Sequence, residues 1–257
     1  MIVCRSRAEL DKMRAAGRLV GQVLTALAAK VEPGVTTGDL DAIAEGLIVD
    51  AGAIPAFKGY HGYPATICAS VNDEVIHGIP SGKRVLKAGD IISIDVGASL
   101  EGYFGDSAVT LAVGRISEDA ARLLRVTEES LYKAIEVVKP GARVSDIGHA
   151  VQSHVEAQGF SVVREFVGHG IGQEMHEEPQ IPNYGEPGRG ARLAEGMVLA
   201  IEPMVNAGKP GVKVLSDGWT AVTRDKSLSA HFEHTVAVTA NGPWILTARD
   251  VPAAGPR

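Results

Sequence analysis

Cysteine is nearly missing from this chain: two residues in 257, Cys4 and Cys68, neither in a C-x-x-C pair. They cannot build a disulfide framework, and such usage fits a reducing compartment. Long apolar runs are missing too. No window nears the roughly 18 consecutive apolar residues of a membrane span, and the first seven residues lack the apolar core of a secretory signal. Nor is there a basic surplus. Lys and Arg number 25 against 31 Asp and Glu, a formal net charge of -6. That removes the positive face a general nucleic-acid or anionic-membrane partner would require. What remains is the profile of a soluble, cytoplasmic protein, 45% hydrophobic and 22% charged, with 30 glycines and 13 prolines. A chain this long buries roughly three quarters of its unfolded surface, so it needs no staples.

The chain repeats itself. Ser6-Arg7-Ala8-Glu9 reads as a capping box, followed by Leu10, Met13, Val20, Val23, Leu24 and Leu27 on one helical face. Pro33-Gly34 ends that helix, and a second runs from about Thr37 to Gly52. The same phrase returns 107 residues later (138 − 31): Val31-Glu32-Pro33-Gly34 matches Val138-Lys139-Pro140-Gly141, Asp39-Leu40 matches Asp146-Ile147, and Gly52 matches Gly159. Ser117-Glu118 caps the matching amphipathic helix. The offset persists into two apolar strands, residues 90–95 and 197–202, each ending in a carboxylate, Asp95 and Glu202. Asp106-Ser107-Ala108-Val109-Thr110 then resembles Glu233-His234-Thr235-Val236-Ala237 at an offset of 127. The second half therefore carries an insertion, read as a loop around Gly208, Pro210, Gly211, Asp217 and Gly218.

One offset held through unlike elements is the mark of duplication. The expected fold class is α+β: two pseudo-two-fold related halves, about 7–113 and 115–247, whose strands meet across the axis under helices on one face. They form a single domain over residues 1–257, with a frayed tail at 248–257.

The consequence is chemical. Four carboxylates, two per half, can converge at the axis, where they would repel one another unless paired with divalent cations. His169 joins them from Phe166-Val167-Gly168-His169-Gly170-Ile171-Gly172, whose glycines permit close backbone approach. One imidazole and four carboxylates suit Mn, Fe, Co or Zn in an open site rather than a structural zinc. Five ligands exceed one open tetrahedral ion and suit two metals sharing bridging carboxylates. Singly, each residue has an ordinary explanation: Asp95 as a strand-end turn residue, Asp106 as a cap, His169 as a core histidine. Their recurrence in the repeat argues otherwise. The glycine-rich run around His169 lacks the lysine and strand-to-helix context of a phosphate loop.

Further motifs carry a resemblance. Gly59-Tyr60-His61-Gly62-Tyr63-Pro64, Asn72-Asp73-Glu74-Val75-Ile76-His77-Gly78-Ile79-Pro80, Asp95-Val96-Gly97, Gly105-Asp106, the His169 run, His176-Glu177-Glu178-Pro179, Ile201-Glu202-Pro203 and His231-Phe232-Glu233-His234-Thr235 together resemble type I methionine aminopeptidases. The resemblance covers roughly residues 7–247 and implies the pita-bread α+β fold. It implies that Asp95 holds one metal, His169 and Glu202 the other, and that Asp106 and Glu233 bridge both around a hydroxide. Glu202 would handle the proton, His77 would bind the substrate's N-terminal region, and His176 would steady the charge on the scissile carbonyl. The methionine pocket would be walled by Phe57, Tyr60, Tyr63, Cys68, Met175 and Trp219. Phe57 and Met175 replace the cysteine and phenylalanine usual at those positions in the family. Implied partners are the N-termini of nascent polypeptides, at the ribosome, with no specific nucleic acid and no membrane, and the expected state is a monomer.

Cys68 has no base partner in the sequence and is read as pocket wall. His61 and His234 stay outside the catalytic set, and His149, His154 and His231 read as structural or solvated. Two rivals share the expected fold. Proline-specific Xaa-Pro aminopeptidases and prolidases carry an extra N-terminal domain, whereas helix one here begins at residue 7. Non-catalytic binding modules, and metal-free creatine-type hydrolases, lose the metal ligands that this chain retains.

Overall fold

Local capping chemistry starts each half. The computed structural model describes residues 2–249. Helix α1 (Arg7–Ala28) begins at Ser6, whose hydroxyl accepts the Glu9 N–H while Glu9 reaches back to the Ser6 N–H. Helix α2 (Thr37–Asp50) repeats the device with Thr36 and Asp39. Helices α3 (Glu118–Glu136) and α4 (Val144–Ala157) follow in the second half. Both ends of α4 lie 107 residues beyond those of α2, and the isolated bridge Thr36–Val85 recurs as Arg143–Arg192 at the same offset. Helix α1 stops at Ala28, short of Pro33-Gly34, because Ala29 to Val31 turn back onto the carbonyls of Thr25 and Leu27.

Fifteen strands are formed by the described residues. In the first half they are β1 (Ile54–Pro55), β2 (Ile67–Val71), β3 (Glu74–Ile76), β4 (Ile91–Leu100) and β5 (Tyr103–Ala112). The second half has β6 (Ser161–Val162), β7 (Gly168–Gly170), β8 (Glu177–Ile181), β9 (Val198–Ile201) and β10 (Met204–Asn206). It continues with β11 (Val212–Val214), β12 (Ala221–Thr223), β13 (Ser229–His231), β14 (His234–Thr239) and β15 (Gly242–Ile245). Every pairing is antiparallel, and the ladders divide into four sheets. Helix α1 lies on β4 and β5, and α3 lies on β10 and β13. The main apolar core takes residues from both halves, from Leu19 through Ile94 and Leu123 to Val238. This is the α+β pita-bread arrangement.

Three features differ from the sequence expectation. Asp95 stands midway along β4 rather than at a strand end. Strand β4 pairs with β5 without interruption from Ile91 to Leu100, and the hairpin turns only at Glu101-Gly102, both at positive φ. In the second half the equivalent hairpin is split at its carboxylates. Pro203 cannot donate to a ladder, so β9 and β10 flank Glu202-Pro203 and pair with different strands, β14 and β13. The third is the insertion. It folds into β11 and β12, and β12 crosses to pair with β3 of the other half, which carries Trp219 to the site. Of the tail, the Ala248 carbonyl lies over Gly21 and Arg249 approaches Glu128 at 3.8 Å. The rest of the tail expected to be frayed lies outside the described residues.

Candidate metal centre and active site

Four carboxylates arrive on four strand segments and the imidazole on a fifth. Asp95 comes from β4, Asp106 from β5, Glu202 from the break after β9, and Glu233 from the break between β13 and β14. The halves are locked together at these positions. The Glu233 N–H donates to the Ala108 carbonyl at 3.0 Å, and the Ser107 hydroxyl donates to the Glu233 carbonyl at 2.6 Å. Across the axis the Asp106 N–H donates to Thr235 Oγ1 at 3.1 Å, and that hydroxyl donates to the Asp106 carbonyl at 2.7 Å.

His169 lies on β7 opposite Ala200 of β9. A Cβ at Gly168 would meet the Ala200 carbonyl oxygen at 2.3 Å, and one at Gly170 would meet that of Glu178 at 2.2 Å. Only glycines on both sides let β7 sit so close to its neighbours. His169 Nδ1 donates to the Gly170 carbonyl at 2.9 Å, which leaves Nε2 as a lone pair facing the carboxylates. The carboxylates recur in both halves and the imidazole does not: by ladder register, Ser70 opposite Ser93 occupies the position of His169 opposite Ala200.

Ligand atoms of Asp106, His169 and Glu233 all lie within 4.8 Å of one another. Glu202 Oε1 is 3.6 Å and Asp106 Oδ2 3.8 Å from His169 Nε2, and Asp95 and Asp106 interact side chain to side chain. Burial, reinforced by mutual repulsion, drives Asp106, Glu202 and Glu233 well above the carboxylate range. Burial lifts Asp95 to about 7. Burial also holds His169 down to about 3, with His176 adding to the effect, so the ring is neutral and available as a ligand.

The donor set fits divalent cations. Asp95 Oδ1, Asp106 Oδ1 and Glu233 Oε1 are buried acceptors without any hydrogen-bond partner. Buried polar atoms are rarely left so, and three converging acceptors call for a cation.

A cavity of about 150 Å³ adjoins the centre, lined by all five of these residues together with His77, His176, Phe57, Tyr60, Tyr63, Cys68, Met175 and Trp219. A cavity of about this size has room for one side chain beside the donors. Its far walls form one cluster, with Phe57, Tyr63, Cys68 and Met175 buried and Tyr60 and Trp219 at its edge. The Cys68 thiol is pushed up by burial and by Asp95, which leaves it protonated and unreactive.

Two histidines mark the mouth. His77 has a left-handed backbone (φ 59) and packs edge-on against Phe166 and Trp219. Burial brings its pKa down to about 4. His176 is exposed at the rim, its ring 4.2 Å from that of His169 and its Nδ1 2.7 Å from the Tyr60 hydroxyl. A larger cleft of about 650 Å³ shares His169 and His176 and opens outward between Gln173, Glu174 and Glu178.

Two residues outside the expected set come to the site. His61 lines the cavity, and its place in the quoted Tyr60-His61-Gly62 run was the available signal. His231 is buried, with Nε2 3.8 Å from Glu202 Oε2. Its signal was the two-residue spacing to Glu233 on an extended segment. The remaining histidines are structural: His234 pairs with Thr247 at 2.9 Å, His154 with Glu129 at 3.1 Å, and His149 with Ser153 at 3.4 Å.

Comparison with known proteins agrees with this geometry. Residues 11–240 match the model of metallopeptidase family M24. The chain is 59% identical to methionine aminopeptidase 1 of Bacillus subtilis (strain 168), over 96% of this chain and 99% of that one. A solved methionine aminopeptidase from Rickettsia prowazekii superposes with a TM-score of 0.95 at 46% identity, over 96% of this chain and 100% of that one. A prolidase from Pyrococcus horikoshii superposes less closely, with a TM-score of 0.78 at 26% identity, over 97% of this chain but 65% of its own. The chain therefore belongs to the M24 metallopeptidases, in their methionine aminopeptidase group.

Proposed function

We propose that this chain is a divalent-metal aminopeptidase that removes N-terminal methionine from polypeptides whose second residue is small. The observation that carries the proposal is the join between five convergent donors, with their orphaned acceptor atoms, and a side-chain-sized cavity whose far walls are apolar. In this reading Asp95 would hold one cation and His169 and Glu202 a second, with Asp106 and Glu233 contributing to both. Divalent metal bound there would neutralise the carboxylates and supply a water acidic enough to attack a carbonyl near neutral pH.

The chain's own groups do the rest. Glu202, part-exposed toward the cavity, accepts the proton of the attacking water. With the Tyr60 hydroxyl donating to His176 Nδ1, the ring's proton sits on Nε2, free to donate to the carbonyl oxygen as charge develops. His77, neutral at pH 7, offers its own N–H to the substrate's N-terminal region. Phe57, Tyr60, Tyr63, Cys68, Met175 and Trp219 enclose the unbranched thioether, for which an apolar slot suffices. The second residue must fit between His77 and the acidic cluster, so Ala, Gly and Ser enter and Leu or Lys do not. Beyond it the open cleft gives the polypeptide a way out, consistent with nascent N-termini as substrates. The continuous core supports a single catalytic domain, and the two free cysteines are consistent with a cytoplasmic setting.

The test is kcat/KM on Met-Ala-Ser, Met-Lys-Ser, Leu-Ala-Ser and Ala-Pro-Ser. Met-Ala-Ser should exceed Met-Lys-Ser by at least about 100-fold, since excluded side chains cost a few kcal/mol. Preference for Ala-Pro-Ser would give the site to proline-specific chemistry, and equal rates on all four would make it a broad aminopeptidase.

A further inference from the structure

We infer that His231 is a positioning residue for Glu202, holding one carboxylate oxygen so that the other is presented to the metal centre. The inference rests on the metal centre proposed above. Glu202 stands between two imidazoles: Oε1 is 3.6 Å from His169 Nε2, and Oε2 is 3.8 Å from His231 Nε2. The two oxygens are thus divided between the ligand histidine on one side and a residue with no assigned role on the other. His231 is 2% exposed, and its Nε2 is buried with no hydrogen-bond partner. A buried ring nitrogen without a partner is costly, and with the ring's proton on Nε2 the acceptor beside it is Glu202 Oε2. At 3.8 Å the bond is not yet made. A small rotation of the glutamate side chain would close the gap.

The histidine is mounted to serve as a fixed post. Its backbone N–H donates to Thr110 Oγ1 at 2.9 Å, and that hydroxyl donates to the His231 carbonyl at 2.8 Å. Thr110 is itself paired with Ser93 at 2.8 Å, and His231 lies opposite Met204 in the β10–β13 ladder. The main chain that carries the imidazole is therefore held from β5 and β10, with Ser93 of β4 behind Thr110, whereas Glu202 lies at a ladder break, where Asn183 donates to its main-chain carbonyl at 2.9 Å. A metal-ligating carboxylate at such a ladder break needs an outer partner to fix its rotamer, and loss of such partners typically lowers metal affinity or activity 10–100-fold.

The test compares wild type, His231→Leu and His231→Gln after chelator treatment. Each protein is titrated with Mn(II), with free ion read by electron paramagnetic resonance. Each is also assayed for kcat and KM on Met-Ala-Ser at saturating Mn(II). His231→Leu should bind Mn(II) about 10–100-fold more weakly and lose kcat, with KM little changed. His231→Gln keeps an N–H donor of similar reach and should recover most of both. Wild-type binding and kcat in His231→Leu would overturn the inference, as would a Gln variant impaired as much as the Leu variant, since packing alone would then explain the loss. Should His231→Leu not fold, His231→Asn takes its place: its shorter amide should fail where Gln succeeds, and equal behaviour of the two would overturn the role. Failure of wild type itself to bind Mn(II) or cleave the peptide would overturn the proposed function, and this inference with it.

Discussion

At the scale of the residue, the charges that make the site also strain it. Three of the four carboxylates carry orphaned buried oxygens, and all four are pushed above their ordinary range by burial. Asp106→Asn removes one of these charges at constant shape. In chelator its melting temperature should match or exceed that of wild type, while kcat on Met-Ala-Ser falls at least about 100-fold. A variant that cleaves at the wild-type rate with a native circular dichroism spectrum would rule out the bridging role. His77→Ala and His176→Ala should behave differently, keeping bound metal while kcat drops about 10²–10³-fold. Metal analysis beside kinetics separates the cases, because metal loss in either variant would make that histidine a ligand. The five donors were legible because carboxylates interrupting apolar runs, and a histidine framed by glycines, demand an explanation that surface chemistry does not give. In sequence His231 reads as structural or solvated. Its two-residue spacing to Glu233 hints at the shared face, but its neighbours Ala230 and Phe232 make it look like one more core position, and the fold is what shows Glu202 beside it.

At the scale of the element, what was readable is what is local. A capping box fixed the start of α1 because it needs only four consecutive residues, whereas the Thr36–Asp39 box that starts α2 was seen only in the structure. The continuation of β4 past Asp95 and the split after β9 depend on which distant strand supplies the next hydrogen bond, and no local pattern encodes that. The Asp95-Val96-Gly97 run shows the reach of one small residue. A Cβ at Gly97 would stand 2.6 Å from Phe57 Cε1, so Gly97→Ala forces this cavity-lining ring to shift. KM for Met-Ala-Ser should rise about tenfold, the equivalent of about 1.4 kcal/mol of overpacking, with melting temperature little changed. An unaltered KM would mean that Phe57 does not shape the slot. Where α1 crosses β5 the tolerance is smaller. A Cβ at Gly105 would meet the Gly17 nitrogen at 2.8 Å, and backbone cannot step aside as a ring can. Gly105→Ala should cost about 1–3 kcal/mol in denaturant unfolding, and a neutral result would show that α1 is free to lift.

At the scale of the whole molecule, metal and proton compete for one centre. Asp95 ordinarily ionises near 3.8, and burial raises it to about 7 in the fold. The folded chain therefore holds a proton that the unfolded chain has released, and its stability without metal declines as pH rises through that interval. Cations displace the proton, so their stabilising effect must grow with pH. The rise in melting temperature on adding Mn(II) should be larger at about pH 7.5 than at about pH 5.5, and an equal rise at both would mean that no ligand proton is displaced. His234 acts in the opposite sense. Burial depresses it from 6.5 to about 3, so the stability it permits is present above its ordinary pKa and is lost as pH falls toward 3. His234→Gln should flatten the acid limb of the melting profile, and an unchanged limb would assign acid sensitivity to other groups.

The unequal partnership of the two halves, four carboxylates shared and one imidazole not, bears on how such a centre can be built at all. Two identical half-chains related by a true rotation axis could place four carboxylates around that axis, since a closed dimer repeats every residue on both sides. They could not place a single histidine, because symmetry would force a second. Joining the copies in one chain lifts that constraint. Ser70 and His169 can then differ although their strands correspond, and the insertion carrying Trp219 can cap one side alone. Direction enters the molecule there: a peptide lying across the centre has an end that enters the slot and an end that leaves by the cleft.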